Sequence, residues 1–221
     1  MGEVKVLDLK KTILQDNDAD ADKLREELAK EGTFYVNVMS SPGSGKTTTI
    51  KKTLEMLSEK LRAGVVEADI DSDVDAITIQ EAGFPAIQAH TGGMCHLDAD
   101  MSRQALRALG TENLDLVILE NVGNLVCPAE FDTGAHRNVV ILSVPEGDDK
   151  PLKYPLVFET SQAVLINKID AAPVFDFDME QVAKYILDRN PNAKIFPVSA
   201  VTGEGMDAWC EWLYAEVKAG R

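Results

Sequence analysis

The segment from Phe34 to Thr49 constrains this chain most, and it has the sequence Phe-Tyr-Val-Asn-Val-Met-Ser-Ser-Pro-Gly-Ser-Gly-Lys-Thr-Thr-Thr. Its first six residues predict a strand, the serines, proline and glycines predict a loop, and an amphipathic run from Lys46 to Leu57 predicts a helix. The segment matches the phosphate-binding template G-x-x-x-x-G-K-[ST], with Ser40 in place of the first glycine. The flanking strand and helix favour a nucleotide-binding loop over a chance run of glycine and serine.

Binding a polyphosphate explains why these residue types are needed. Backbone N–H groups can surround phosphate oxygens only where no Cβ intrudes, a condition that Gly43 and Gly45 meet. The helix that begins near Lys46 adds its free N–H groups and its dipole. Lys46 is predicted to bind the β- and γ-phosphates, and the Thr47 hydroxyl is predicted to ligate Mg²⁺. Ser44 and Thr48 belong to the same predicted segment.

Length and composition bound the remaining possibilities. The chain has 221 residues, of which 45% are hydrophobic, which fits one α/β domain with a sizeable core. A net charge of −15 argues against binding a nucleic-acid backbone. Three cysteines do not make a disulfide framework, and neither a signal peptide nor a bilayer-spanning apolar run is expected. We therefore expect a cytoplasmic protein without a nucleic-acid or membrane partner.

The first 32 residues are predicted to form a helical arm, separate from a GTP-binding domain over residues 33–221. Hydrophobic spacing predicts two short helices, Leu7–Leu14 and Leu24–Ala29. The intervening run Asp16–Asp22 imitates a calcium loop, but Ala21 stands where the sharp turn needs glycine. We interpret this run as a solvated loop.

Beyond the phosphate-binding loop, short strands alternate with helices. The predicted strands are Ala63–Ala68, Ala86–Ala89, Leu114–Glu120, Asn138–Val144, Gln162–Ile166 and Ala193–Val198, and the predicted helices include Asp98–Leu109, Phe177–Arg189 and Gly205–Lys218. Alternation with apolar strands such as residues 116–119 predicts an α/β fold, a doubly wound, mostly parallel sheet with helices on both faces.

A second motif indicates the base of the nucleotide. Residues 163–166 predict an apolar strand that ends in Asn167-Lys168-Ile169-Asp170. Guanine offers two donors to a carboxylate and adenine does not, so Asp170 predicts guanine selectivity. The stem of Lys168 can cover the base, and Asn167 either binds the base edge or ties this loop to the phosphate loop. Ser199 and Ala200 follow a later strand, where the Ala200 N–H suits the guanine 6-oxo group.

A second protein ligand of Mg²⁺, in addition to Thr47, should come from the end of another strand. Glu120 ends a predicted strand and opens Glu120-Asn121-Val122-Gly123, where Gly123 N–H can sense a γ-phosphate. Asp69 is a second candidate, for Mg²⁺ or for the attacking water. Three further acids, Asp71, Asp73 and Asp75, follow Asp69. The four acids stay unranked, and we expect at least two of them to lie in an exposed loop. No glutamine with a clear water-orienting place is found, so slow hydrolysis is expected.

Two cysteines and a histidine lie on loops after predicted strands. Cys95 and His96 precede Asp98, and Cys127 lies shortly after Gly123. Two thiolates and one imidazole are one ligand short of a tetrahedral zinc site, and they also suit nickel. A symmetric dimer can supply the rest. The alternative, that these cysteines are small packing residues, stays open. We interpret Cys210 as a core residue and His90 and His136 as structural or surface residues.

Together these motifs resemble the HypB family, GTPases that help deliver nickel during [NiFe]-hydrogenase maturation. The similarity covers the whole chain, and its most specific blocks are Ser40–Thr47, Cys95–Asp98, Glu120–Pro128, Glu146–Asp149 and Asn167–Asp170. It implies a SIMIBI-class P-loop fold and a homodimer that forms on GTP binding. It also implies a HypA-like nickel chaperone and a hydrogenase large-subunit precursor as partners.

The resemblance also implies roles for individual residues. Cys95, His96 and Cys127 bind nickel or zinc at the subunit interface. By the resemblance, Lys46 and Thr47 serve phosphate and Mg²⁺, Glu120 serves Mg²⁺ and Asp170 serves guanine. With Asp69 added from the residues themselves, the candidate catalytic residues are Lys46, Asp69 and Glu120, and the candidate Mg²⁺ ligands are Thr47, Glu120 and Asp69. Lys153, after Glu146–Asp149, reaches the nucleotide across the dimer. The alternatives are a urease-type nickel GTPase, which has a Cys-Pro-His motif where this chain has Cys127-Pro128-Ala129, a regulatory GTP switch without metal, and an ATP-using kinase.

Overall fold

The computed structural model describes residues 9–70 and 72–220 as a parallel sheet with helices on both faces. The strands are β1 Phe34–Ser40, β2 Ala63–Asp69, β3 Ala86–His90, β4 Leu116–Glu120, β5 Arg137–Ser143, β6 Ala163–Asn167 and β7 Lys194–Pro197. The helices are α1 Leu9–Glu31, α2 Lys46–Leu57, α3 Val74–Glu81, α4 Ala99–Leu109, α5 Cys127–Glu130, α6 Lys150–Lys153, α7 Pro155–Thr160, α8 Met179–Arg189 and α9 Met206–Ala219, with 3₁₀ turns at Val144–Glu146 and Ile169–Val174.

The strand order is β3-β2-β4-β1-β5-β6-β7, and every adjacent pair is parallel. The fold class expected from the sequence is therefore confirmed. After β1 the chain continues to β2 on one side of the sheet, and after β5 it continues to β6 on the other side, which makes the carboxyl ends of the adjacent strands β1 and β5 a switch point. Ligands of open α/β sheets bind at such points.

Three apolar clusters cover the sheet. Helices α2 and α9 pack on one face, where Leu54 and Trp209 are buried. On the other face, α1 and α4 cover β2 and β4, while α7 and α8 cover β5 and β6. Most strands are thus buried on both sides, which explains their continuous apolar sequences.

The N-terminal prediction of two helices and a solvated loop is wrong, because residues 9–31 form the single helix α1. Its first predicted residues, 7 and 8, lie outside the described residues. The predicted loop is helical because tertiary contacts offset the poor helix propensity of its aspartates. The Asn17 amide donates to Asp132 O at 2.9 Å and accepts from Ala99 N at 2.9 Å, and Ala21 is fully buried.

Helix α3 was absent from the predicted helices. Of the acids that follow β2, Asp73 is exposed just before α3, whereas Asp75 lies half-buried in the first turn of that helix. Asp71 lies outside the described residues. Acidic residues at a helix start interact favourably with the helix dipole, which the sequence reading did not consider.

The later helices agree closely with their predicted ranges. Asp98 accepts a hydrogen bond from Met101 N at 2.8 Å as the N-cap of α4, and Gly110 follows the end of that helix. Within residues 9–70 and 72–220, no helix combines the length and apolar character needed to cross a bilayer.

Candidate functional site

The phosphate-binding loop joins β1 directly to α2. Gly43 and Gly45 have φ values of 76° and 92°, in the left-handed region that favours glycine. Ser40 replaces the first glycine of the motif, and its hydroxyl accepts a bond from Ser44 Oγ at 2.6 Å. This buried bond ties the start of the loop to its end, so the departure from the motif is compatible with a closed loop.

Asn167 connects the base-binding loop to the phosphate-binding loop. Its amide nitrogen donates to Ser44 O at 2.9 Å and to Thr49 Oγ1 at 3.3 Å. A Cβ at Gly45 would lie 2.7 Å from that nitrogen, so only glycine fits. Of the two roles open to Asn167 in the sequence, the structure shows the tie between loops.

Lys168 makes a second connection between the same loops. Its ammonium donates to Gly43 O at 2.7 Å. Its backbone has φ 61°, an uncommon conformation for a residue with a side chain. Strain of this kind persists where the surrounding contacts over-determine it, and such positions cluster at binding sites.

A small pocket lies where the predicted base site was placed. Its volume is about 150 Å³, and its lining comprises Gly45, Thr48, Asn167, Lys168, Asp170, Ala171, Ala200 and Val201. Asp170 is exposed at this pocket, where its carboxylate is open to a ligand. The Ala200 N–H donates to Asn167 Oδ1 at 3.2 Å. Ser199 is buried instead, and its hydroxyl accepts from Thr202 N at 3.1 Å, so it shapes the loop.

A larger cavity of about 460 Å³ adjoins the phosphate-binding loop. It is lined by Lys46 and Thr47 from α2 and by Glu120 from the end of β4. The Thr47 hydroxyl donates to Glu120 Oε1 at 2.9 Å. The predicted magnesium ligands Thr47 and Glu120 are therefore in direct contact.

Asp69 and Asp75 line the same cavity. Asp69 accepts a hydrogen bond from Ser72 N at 3.0 Å, which holds the turn after β2. Asp75 reaches the cavity from α3. This helix was not predicted from the sequence, and it is the element that places Asp75 at the site.

The structure adds two residues that sequence reasoning missed. Glu67 and Gln88 line the large cavity from β2 and β3. Glu67 is only 2% exposed. The available signal was a charged residue within the otherwise apolar run Ala63–Ala68, near the end of a strand where ligands bind.

The acids of this cavity are electrostatically unusual. Burial raises the pKa of Glu67 far above its usual range, and the neighbouring Glu120 charge raises it further. Burial also raises the pKa of Glu120, while Lys46 and the Thr47 hydroxyl oppose that shift. Strong perturbation of acids in a cleft is typical of functional sites.

Cys95 and Cys127 lie near each other within one chain. A side-chain hydrogen bond with Cys127, followed by burial, raises the pKa of the Cys95 thiol, so the two sulfurs are neighbours. All three cysteines are free, and Cys210 is buried in the core as expected. The loop after β3 and the segment after β4 thus converge beside the nucleotide site.

His96 lies beside Cys95 and also packs on an aromatic ring. Its Nδ1 lies 3.9 Å from Cys95 Sγ, while its ring stacks on Phe131 with centroids 3.8 Å apart. Burial lowers the pKa of His96 and favours the neutral, metal-binding form. Among the described residues, no group of three or more His, Cys, Asp or Glu side chains is arranged to hold a metal ion.

Lys153 and the two remaining histidines have contacts or exposure that the structure defines. Lys153 forms an exposed ion pair with Asp149 at 2.5 Å. His136 accepts a hydrogen bond from Tyr35 N at 3.0 Å and stacks on Phe34, so it has a structural role, whereas His90 is exposed.

The chain is similar to known nucleotide-binding proteins. The model of the CobW/HypB/UreG nucleotide-binding domain matches residues 34–197. The hydrogenase maturation factor HypB of Azotobacter chroococcum is 45% identical over 96% of this chain and 70% of its own length. A probable HypB of Methanocaldococcus jannaschii is 38% identical over 97% of both chains. A protein of Helicobacter pylori named hydrogenase/urease maturation factor HypB is 42% identical over 91% of this chain and 84% of its own length.

Solved structures give the same result. The crystal structure of HypB from Helicobacter pylori in complex with nickel has a TM-score of 0.87 and 40% identity, covering 92% of this chain and 96% of that one. HypB from Archaeoglobus fulgidus has a TM-score of 0.86 and 37% identity, covering 92% and 100%. The signal recognition particle receptor FtsY of Elizabethkingia anophelis, at 15% identity and a TM-score of 0.52, shares the fold alone.

Proposed function

We propose a function from one premise: this chain belongs to the HypB family of hydrogenase maturation factors, within the CobW/HypB/UreG nucleotide-binding proteins. It is a GTP-hydrolysing metallochaperone that binds nickel at a dimer interface and assists nickel insertion into [NiFe]-hydrogenase. Zinc suits the same ligands and competes for them. A HypA-like nickel chaperone and a hydrogenase large-subunit precursor are the partners that this function requires.

One observation carries the proposal: a short segment after β4 takes part in both sites. Glu120 at its start accepts a hydrogen bond from Thr47, and Cys127 near its end lies close enough to Cys95 to raise the pKa of that thiol. Between them, Gly123 packs so closely on Pro42 of the phosphate-binding loop that a Cβ would lie 3.0 Å from Pro42 Cγ. A ligand that moves this segment therefore moves a metal ligand.

GTP is the nucleotide that the geometry supports best. Asp170 faces the small pocket and can accept both guanine donors, and Lys168 lies beside it. Lys46 binds the terminal phosphates, with Gly43, Ser44, Gly45 and Thr48 in the surrounding loop. Thr47, Glu120 and Asp69 hold Mg²⁺ or its water, and turnover is slow because catalysis here depends on positioning and charge.

The metal site is complete only in the dimer. Cys95, His96 and Cys127 of one chain supply three ligands at most, and the second copy supplies its own set. GTP binding assembles the two halves, and Lys153, exposed on α6, reaches the partner's nucleotide. Hydrolysis loosens the interface and releases nickel. Three free cysteines agree with a reducing compartment, which we take to be the cytoplasm.

A combined measurement tests this function. Light scattering with and without a non-hydrolysable GTP analogue gives the oligomeric state, and equilibrium dialysis gives nickel bound per subunit in both states. We expect a GTP-dependent dimer that binds nickel more tightly than the nucleotide-free protein. Cys95→Ala should abolish that gain, whereas Cys210→Ala, at a buried core thiol, should keep it.

The outcomes separate the alternatives. Equal nickel affinity in wild type and Cys95→Ala rejects the metallochaperone and leaves a GTP switch whose thiols are incidental. A role in urease maturation is a second candidate, because the Helicobacter pylori relative carries that description. It predicts that the loaded dimer transfers nickel to a urease precursor as well as to a hydrogenase precursor.

A further inference from the structure

Three polar side chains form a row across the sheet beside the phosphate-binding loop. Glu67 on β2 is paired in register with Glu120 on β4 and with Gln88 on β3. Two residues earlier, the same face of these strands carries Ala86, Val65 and Ile118, all buried in the apolar core. Along this face of the sheet, the row therefore marks the boundary between the apolar core and the polar cavity.

Two members of this row are buried, Gln88 is half-buried, and all three have buried polar atoms without a hydrogen bond to any described residue. Glu67 is 2% exposed and Glu120 is 4% exposed. Within the described chain, Glu67 Oε1, Glu120 Oε2 and both polar atoms of the Gln88 amide are buried and make no hydrogen bond. Buried polar atoms are almost always paired in folded proteins. All three side chains line the 460 Å³ cavity, so a ligand of that cavity can supply the missing hydrogen-bond partners.

The charges of the cavity indicate what that ligand carries. Glu67 and Glu120 interact with each other, and the charge of Asp75 acts on both. Lys46 supplies positive charge to the pair but faces the phosphates in the proposed function. Carboxylates packed this closely share a proton unless a cation binds between or beside them, and oxygen ligands suit Mg²⁺.

We propose that Glu67 is a second carboxylate of the magnesium site and that Gln88 positions it. This inference rests on the proposed function, in which Mg²⁺ accompanies GTP. Glu120 contacts Thr47, whereas Glu67 stands one strand farther from the phosphate-binding loop. Glu67 therefore accepts hydrogen bonds from water molecules bound to Mg²⁺, because Mg²⁺ keeps several waters in nucleotide sites.

Gln88 completes the arrangement from the edge strand. Its amide nitrogen can donate to the neighbouring Glu67 carboxylate, and its amide oxygen can accept from a water of the same shell. Such outer residues fix the orientation of metal ligands and waters. Gln88 is thus a positioning residue, and it acts on Mg²⁺ only through Glu67 and water.

The test measures the affinity of fluorescently labelled GDP for the full chain across free Mg²⁺ concentrations, beginning in excess EDTA. Glu67→Gln should raise the Mg²⁺ concentration for half-maximal effect at least about tenfold, while affinity in EDTA stays that of the wild type. Gln88→Leu should shift it less, and Glu67→Asp should recover part of the loss. Asp115→Asn removes another buried carboxylate, far from the cavity at the start of β4, and should behave as wild type.

A second readout follows the metal itself. Electron paramagnetic resonance of Mn²⁺ in the GDP complex should show weaker metal retention in Glu67→Gln by the same factor. If the wild type binds GDP without any effect of Mg²⁺, the magnesium part of the proposed function fails. If the wild type responds to Mg²⁺ and Glu67→Gln responds equally, only this inference fails. Equal weakening of Glu67→Gln with and without Mg²⁺ also overturns it, because Glu67 then serves Lys46 rather than the metal.

Discussion

The nucleotide site and the thiol–imidazole cluster lie on the same edge of the sheet, yet they differ in how complete they are within one chain. Around the phosphates, buried bonds from Asn167 to Ser44 and from Thr47 to Glu120 hold the loops in place. Around the thiols, Cys127 affects the pKa of Cys95, and His96 lies beside Cys95 while stacking on Phe131. Among the described residues, these three side chains are not arranged to hold a metal ion. The difference indicates a nucleotide site that one chain preorganises and, under the proposed function, a metal site that a second copy completes.

The secondary structure around each site explains how firmly its side chains are positioned. The phosphate-binding loop joins a buried strand to a helix, and its positive φ values are fixed by glycine. The cysteines lie on segments with half-buried side chains and short helices, so their geometry is less constrained. Preorganised sites bind without a cost of ordering, whereas a loosely held site can respond to a second ligand.

The largest effect is expected from Asp170→Asn in the base pocket. The variant loses two charge-assisted hydrogen bonds to guanine, which costs about 3 kcal/mol, or roughly a hundredfold in GDP affinity. Xanthine carries an oxygen where guanine has its amino group, so XDP affinity should rise. Competition titrations with GDP, XDP and ADP measure both changes. An ATP-using kinase predicts instead that nucleotide choice is unchanged.

The same variant should leave nickel binding by the nucleotide-free chain unchanged, because the base pocket and the thiols share no residue. A fall in that affinity would contradict the separation of the two sites.

A smaller effect is expected from Gly45→Ala in the phosphate-binding loop. Its Cβ meets the Asn167 amide at 2.7 Å in a backbone with φ 92°. Strain and the lost bond together cost about 2 kcal/mol, or roughly thirtyfold in nucleotide affinity. Gly43→Ala is the matched control, because it has φ 76° but no atom within 4 Å of its Cβ. Calorimetric titration with GDP should show the weaker defect for Gly43→Ala, and the reverse order would refute the role of Asn167.

The smallest change in affinity is expected from Gly123→Ala, in the segment between Glu120 and Cys127 that links the two sites. Gly123→Ala presses on Pro42, with Cβ contacts of 3.0 Å to Cγ and 3.3 Å to Cα. Overpacking of about 1 kcal/mol should weaken GTP binding roughly fivefold and reduce the GTP-dependent gain in nickel affinity. Nickel titrations with and without the GTP analogue measure that gain.

Pro42→Ala in the same chain should restore part of the gain, because it removes the Cγ atom of the closest contact. If Gly123→Ala keeps the full gain, the nucleotide and metal sites communicate by another route.

Local sequence patterns predicted most of the fold. Strands β1 to β7 and helices α2, α4, α8 and α9 lie within two residues of their predicted ends, because apolar spacing and end signals such as Asp98 and Gly110 are local. Prediction was wrong for α1, where contacts from Asn17 to distant residues stabilise a run of aspartates as helix. The sequence analysis also did not predict α3, because its first turn lies in an acidic run that is more typical of a loop.

For the site, motifs located the loops but could not supply their contacts. Ser199 was expected at the nucleotide, yet it holds a turn, and only Ala200 of that pair lines the base pocket. Glu67 and Gln88 were missed because neither belongs to a contiguous motif. Their meeting depends on the register of β2 with its two neighbours, which pairs residues far apart in the chain.

By itself, the sequence determined a parallel α/β fold, a phosphate-binding loop that ends in Lys46 and Thr47, and the family to which the chain belongs. Those features depend on residue types at short, fixed spacings, so neighbouring residues suffice to specify them. Only the tertiary structure decided which acids share a cavity and that Cys95 meets Cys127 while His96 packs on Phe131. The physical reason is that strand register and helix packing, rather than proximity along the chain, set the distances between side chains of a site.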